Sequence, residues 1–382
     1  MFKTAVASLP LHSGSCPKWL FPRMRKLAGE ITEAIVLEYG KDEFLRRMAD
    51  TFFFQSLGCV IGYDWHSSGV STTTTAAIKE GIAKKNLGIK VCGGKGATSR
   101  KTPAEIENFG SEFGLSTKNT ERLKYSSRMA AKTDSVLVQD GYQLYHHSFF
   151  LTETGNWAVV QQGLNDSNGY ARRYHWLSDN VQSFVNEPHA AICGGKENNV
   201  LNMTAKESEE TRKTSVDIVN DNPQHLRKYV KNPHPQLREL QQRQLLLTEF
   251  NGRTIETLNM PRHEPILSCD LTEKTLKQLQ IAYEIQPENY EELVSLRGIG
   301  SKSIRALALV SELVYGCRAS WKDPVKFSFA LGGKDGYPYA VDRSDYDKTV
   351  EIIKVAVENA KLGEKDRLNA IRRLNDFLKP LS

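Results

Sequence analysis

Leu296-Arg297-Gly298-Ile299-Gly300-Ser301-Lys302 is the stretch from which the rest of this chain is read. Ahead of it, residues 288–295 place Tyr290, Leu293 and Val294 on one face of a helical pattern. Behind it, residues 301–315 carry Ile304, Leu307, Ala308 and Val310 at the same period. The spacing predicts a helix, a tight glycine turn and a second helix. A helix that starts just after glycines offers free backbone N–H groups and a partial positive charge, which suits a phosphate. In this reading Gly298 and Gly300 adopt positive φ and let the backbone come close to an anion. Ile299 plugs the space between the helices, Ser301 caps the second helix, and Lys302 and Arg305 add charge.

Residues 293–315 resemble the helix-hairpin-helix motif of DNA repair and processing proteins. The leading leucine, the apolar residue between the glycines and the lysine two positions on carry the likeness. The resemblance implies that Gly298, Ile299, Gly300, Ser301, Lys302 and Arg305 hold DNA by its backbone, single- or double-stranded, with little sequence preference.

At 382 residues the chain has room for two or three domains, and 40% of it is hydrophobic, enough for real cores. A net charge of +6 and a pI near 8.8 fit a nucleic-acid partner. The six cysteines are scattered without a CxxC, which argues against a zinc ribbon or a disulfide framework. The sequence shows neither a signal-peptide pattern nor an apolar run long enough to span a bilayer, so a soluble cytoplasmic protein is expected.

The periodicities predict an α+β chain. An N-terminal mixed α/β domain with a small antiparallel sheet is expected over 1–203, a polar helical segment and linker over 204–265, and a mainly helical domain over 266–382. Residues 3–9 and 89–92 read as strands, and 19–39 as a helix that Gly40 ends. Gly93-Gly94-Lys95-Gly96 reads as a loop, followed by a helix with Thr102 as cap and Pro103 in its first turn. A helix near 117–132 and a strand over 135–138 come next. Residues 143–150 and 157–162 then form a hairpin around 153–156.

The N-terminal half is rich in groups that bind metals or move protons. Hydrolysis of a phosphodiester needs an activated water, a clamp for developing charge, and commonly Mg²⁺ or Mn²⁺ on carboxylates. Asp64, His66, Asp140, His146, His147 and His175 are the candidates, with Asp64, His66, Asp140 and His146 as metal ligands. Lys95 and Arg172 are candidates to offset phosphate charge. Strand alternation puts His146 and His147 on opposite faces, so only one of them faces a given site. Asp140 precedes Gln161-Gln162 in a partial restriction-nuclease pattern, but Gly163-Leu164 follows where a lysine belongs.

At full length the chain resembles a prokaryotic family catalogued as a domain of unknown function. The segments that carry this are 5–12, 57–69, 138–147, 157–163, 171–176 and the glycine turn. The readings that follow are a metal-dependent DNA nuclease, a DNA glycosylase or lyase using Lys302 with Asp342, and a non-enzymatic DNA-binding protein.

Overall fold

Residues 143–152 alternate between two environments, and both are dry. In the computed structural model His146, Ser148 and Phe150 face one layer of helices, while His147, Phe149 and Leu151 face another. The structure describes residues 9–10, 16, 19–63, 67–229, 270–325, 352–353, 355–359 and 364–378. The chain divides into two units, Met1–Val200 with Lys322–Ser382, and Leu201–Trp321.

The first unit is built on five antiparallel strands that lie side by side in chain order: β1 (Ile89–Lys95), β2 (Gln143–Thr152), β3 (Trp157–Asn165), β4 (Tyr170–Leu177) and β5 (Ala191–Cys193). Helices α1 (Phe21–Tyr39), α2 (Lys41–Ala49), α3 (Thr51–Val60) and α4 (Gly69–Ile82) supply the core on one face. There Phe44, Phe53 and Phe54 pack with Val91, Phe150 and Val160. Helices α5 (Thr102–Glu112) and α6 (Thr117–Val136) cover the other face, where Ile106, Leu123 and Ala130 meet Phe149, Trp157 and Trp176. A sheet covered on both sides has no solvent face, so its strands lose the usual alternation of apolar and polar residues.

Local chemistry sets the element ends. Gly40, at φ +88°, stops α1, and its N–H donates to Val36 O at 3.0 Å. The Asp50 carboxylate caps α3 by accepting from Phe52 N and Phe53 N at 2.8 and 3.0 Å. Helices α1 and α4 cross at Gly29 and Gly81, where a methyl on Gly29 would sit 2.6 Å from Gly81 O.

Four local expectations are corrected. Gly93, Gly94 and Lys95 are not loop but the end of β1, paired with Ser148, His147 and His146. Thr102 is the first residue of α5 and not its cap; its hydroxyl donates to Ser99 O at 2.7 Å. Ser135 and Val136 end α6, leaving only Val138–Gln139 as strand. The Leu137 N–H still donates to Thr133 O, and the buried faces of Val136 and Thr133 outweigh the β preference of the sequence. Finally, Lys322–Ser382, expected in one helical domain with the glycine turn, belongs to the first unit. Helix α11 (Glu364–Leu378) buries Ala370 and Leu374 in that core, and Arg373 Nε donates to Val60 O at 2.7 Å.

The second unit holds α7 (Glu209–Asn220), α8 (Glu273–Ile285), α9 (Tyr290–Ser295) and α10 (Ser301–Tyr315). Asn289 caps α9 by accepting from Glu292 N at 2.9 Å, and Glu292 answers by accepting from Glu288 N at 2.8 Å. Between α9 and α10, Ile299 is buried as its apolar character requires. Gly298 has φ +94°, and a methyl there would fall 1.7 Å from Gln278 Oε1. Gly300 differs from expectation: its φ is −130°, and it is the cap of α10, so Ser301 is the first helical residue.

Gly298→Ala is therefore expected to destabilise the second unit by about 1–3 kcal/mol. Gly300→Ala, with extended backbone and open space around it, should be nearly neutral. Thermal unfolding of the two variants checks the contrast; equal shifts would refute it.

Candidate active site

Two neighbouring rungs of the sheet carry several of its buried polar groups. In the first, Lys95, His146, Gln162, Arg173 and Cys193 stand side by side across the five strands. In the second, Gly94, His147, Gln161, Tyr174 and Ile192 do so. Adjacent rungs point to opposite faces, so the two sets serve different layers.

Apart from the exposed Lys95, the first rung is a buried polar core. His146 Nε2 lies 3.1 Å from both Thr75 Oγ1 and Ser148 Oγ. Gln162 joins Ser71, Ser68 O and Tyr145. Arg173 donates to His175 Nε2 at 2.8 Å and to Gln55 Oε1 at 3.0 Å, and lies over the Phe54 ring. The His175 Nδ1 atom is 2.8 Å from Met48 O. Burial lowers the His146 ring to about 3, with the charges of His147 and Lys95 adding to it. Burial and then the Arg173 charge push His175 far below its ordinary value. Both rings are therefore neutral parts of the core at pH 7.

The second rung lies beneath α6, with His147 and Ser127 buried at the floor of a cleft. Ser127 Oγ lies 2.9 Å from His147 Nε2, and His147 Nδ1 lies 2.7 Å from Gln161 Oε1. The Gln161 amide donates to Ala130 O at 3.0 Å and to the Asp134 carboxylate. Asp134 also accepts from Trp176 Nε1 at 3.1 Å and contacts His189. This chain of donors fixes the tautomer. The NH₂ of Gln161 is committed to two acceptors, so its oxygen faces His147, and Nδ1 must carry the proton. Nε2 then presents a lone pair to the Ser127 hydroxyl. Burial lowers the His147 pKa, which keeps that lone pair free at neutral pH.

Above this pair is a cleft of about 730 Å³. Ser99 and Arg100, just before α5, form one wall; Arg122, Lys124, Ser127 and Arg128 of α6 form another; Tyr145 and His147 of β2 lie at the base. Arg100, Arg122 and Arg128 are exposed. Lys124 is held by Glu107 and Glu121 at 2.6 and 2.7 Å, and Arg128 stacks on Tyr125. Burial, then the charge of Arg128, lower the neighbouring Lys132 to about 8. Arg128 and Lys132 repel one another on this wall, while Lys124 is offset by its two glutamates.

The remaining candidates are placed as follows. Lys95 is exposed at the end of β1, 5.9 Å from the Tyr145 ring centre. Asp140 and Arg172 meet at 2.8 Å away from solvent, and Arg172 also grips Asp323 with both terminal nitrogens, at 3.1 and 2.7 Å. Tyr174 OH and Tyr142 N donate to Asp140 as well, at 2.7 and 3.0 Å. Burial raises the Asp140 carboxyl, and Arg172 pulls it back. Asp64 and His66 lie outside the described residues, as does Asp342. Of the expected metal ligands, the two that are described do not meet: His146 belongs to the α4 side and Asp140 to an ion pair on the α6 side. Among the described residues, no three His, Cys, Asp or Glu side chains come together to hold a metal ion.

Ser127, Gln161, Asp134 and the three cleft arginines were missed as site residues. The signal available was weak: Arg122, Tyr125 and Arg128 recur every three residues on one helix, in a stretch that otherwise reads as polar and solvated.

The first unit is thus an antiparallel α+β fold with a polar, cation-lined cleft against one face of its sheet. The chain belongs to the family described as Protein of unknown function (DUF763), which matches residues 5–341. No curated protein and no solved structure matches it. Among the described residues, no helix is long and apolar enough to cross a membrane.

Proposed function

We propose that this chain binds DNA by its phosphate backbone and hydrolyses a phosphodiester in the basic cleft of the first unit. The observation that carries this reading is the cleft itself: Arg100, Arg122 and Arg128 stand beside an oriented, neutral His147. Guanidinium groups hold phosphate oxygens in pairs and need no particular base, while a neutral imidazole can take a proton from an attacking oxygen. The α9–α10 turn, read as a helix-hairpin-helix, adds a second backbone grip through the N–H groups after Gly300, with Lys302 and Arg305 on α10.

The test uses the purified full chain with single-stranded and supercoiled DNA, in Mg²⁺, Mn²⁺ or EDTA. Arg122→Glu with Arg128→Glu is expected to weaken binding tenfold or more, alike for unrelated sequences. The slope of log affinity against log salt should fall by about 2. His147→Ala should keep the binding and lose the cleavage. DNA affinity indifferent to both charge reversals would sink the cleft as the binding surface. Binding without cleavage in any metal condition would leave a non-enzymatic DNA-binding protein. A borohydride-trapped adduct lost in Lys302→Ala would select the lyase.

A further inference from the structure

We infer that Ser127 is a nucleophile, and that His147 activates it for transfer of a phosphoryl diester onto its hydroxyl. The inference rests on the proposed cleft function for its substrate class, a phosphate ester, but not for its geometry.

A serine hydroxyl is a poor nucleophile until a base takes its proton, and the base works best when a third group fixes its tautomer. Ser127, His147 and Gln161 meet that requirement in order, at 2.9 and 2.7 Å. Gln161 is in turn held by Ala130 O and Asp134. Each element has a reason to be rigid. His147 and Gln161 are cross-strand partners in the middle of a covered sheet. Ser127 sits within a 20-residue helix. Ser127 and His147 both line the cleft. A serine needed only to fill a helix face would not have to stand at the lone pair of an oriented imidazole below a row of arginines.

The step balances without a metal or a co-reactant other than water. As Ser127 Oγ attacks phosphorus, its proton passes to His147 Nε2. The bond from phosphorus to the leaving oxygen breaks, and that oxygen takes the proton from Nε2. The product is an alcohol and a diester on Ser127. Water then attacks the same phosphorus, gives its proton to Nε2, and Ser127 leaves reprotonated. The cleft arginines face the charge that grows on the phosphoryl oxygens. Gln161 is a positioning residue; it touches only the imidazole.

The test treats the folded full chain, in EDTA, with a fluorophosphonate probe. The probe's phosphorus accepts a serine oxygen and loses fluoride, the same bond change as the proposed step. Mass spectrometry is expected to place the label on Ser127. Ser127→Ala removes it, and His147→Ala slows it on the order of a hundredfold. Gln161→Leu, which cannot accept from Nδ1, also slows labelling and moves the pH midpoint of the labelling rate downward, because the Gln161 hydrogen bond raises the His147 pKa; a purely structural amide would leave that midpoint where it is. Bis(para-nitrophenyl) phosphate, a simple phosphodiester, should show a burst of nitrophenolate that Ser127→Ala abolishes. Because the wild-type chain is scored directly, misfolding of a variant cannot hide a failure. An unlabelled Ser127, or labelling indifferent to His147, overturns the inference even where DNA binding and metal-dependent cleavage hold. A labelled Ser127 with no burst overturns the phosphate-ester assignment, and the DNA assay fails or succeeds separately.

Discussion

Arg172→Leu is expected to destabilise the first unit by about 3–5 kcal/mol. The guanidinium is fully buried between two carboxylates, Asp140 at 2.8 Å and Asp323 at 2.7 Å. It also donates to Gly195 O at 2.5 Å and lies 4.6 Å from the centre of the Tyr142 ring. Burial works against its charge, and Asp140, Tyr174 and Asp323 outweigh that, holding the arginine above its ordinary pKa. Leucine fills part of the volume but leaves two buried carboxylates facing each other without a cation. Removing one partner of a buried pair costs far more than the pair itself contributes, because the orphaned charge has no water to turn to. Asp140→Asn should cost less, about 1–3 kcal/mol, since Asp323 still pairs with Arg172 through two bonds. Denaturant unfolding at pH 7 measures both. If Arg172→Leu kept wild-type stability and lost only DNA affinity, Arg172 would be the phosphate clamp that its sequence suggests.

That contrast shows where the sequence is legible. Tyr170-Ala171-Arg172-Arg173-Tyr174-His175-Trp176 is dense in charge and aromatics, and by composition it reads as a working surface. It is instead the fourth strand of a sheet that helices cover on both faces, and its charges are answered inside the fold. Arg172 is answered by two carboxylates; Arg173 by Gln55, His175 and an aromatic ring. Nothing in the local sequence reports that second layer of helices, because α1–α4 and α5–α6 are separated from the strand by tens of residues. The hairpin of β2 and β3, the end of α1 at Gly40 and the opposite facing of His146 and His147 are local consequences of turn residues and strand geometry, and these are legible. Ser135-Val136 and Gly93-Gly94-Lys95 are read wrongly, because a helix packed against the sheet and an edge pairing with β2 override what their residues prefer alone. The Ser127–His147 pair joins residues twenty positions apart on different elements. Only the register of α6 over β2 brings them together.

The acid side of the stability curve should be steep. His146, His147 and His175 are buried and neutral, and burial is the first cause of each lowered pKa, with His146 brought to about 3. In the unfolded chain the same rings titrate near 6.5. Between these limits the unfolded state binds more protons, so stability rises with pH. The contribution is present above pH 6.5 and is lost as pH falls from there toward 3. With the His146 and His175 rings both neutral there, the slope reaches on the order of 3 kcal/mol per pH unit near pH 5, and His147 adds to it. Asp140 acts in the opposite sense: its carboxyl is raised by burial, so the folded state takes up that proton first and offsets part of the loss. Urea midpoints measured from pH 8 to pH 4 should be level above pH 7 and fall sharply below 6. His175→Gln is the informative variant. It removes one titrating ring and breaks the contacts with Met48 O and Arg173, so it should lower stability at pH 7 yet flatten the acid slope by about 1.4 kcal/mol per pH unit. A curve that stays level down to pH 4 would mean that these histidines take up protons in the folded protein, and the neutral base assigned to His147 would fall with it.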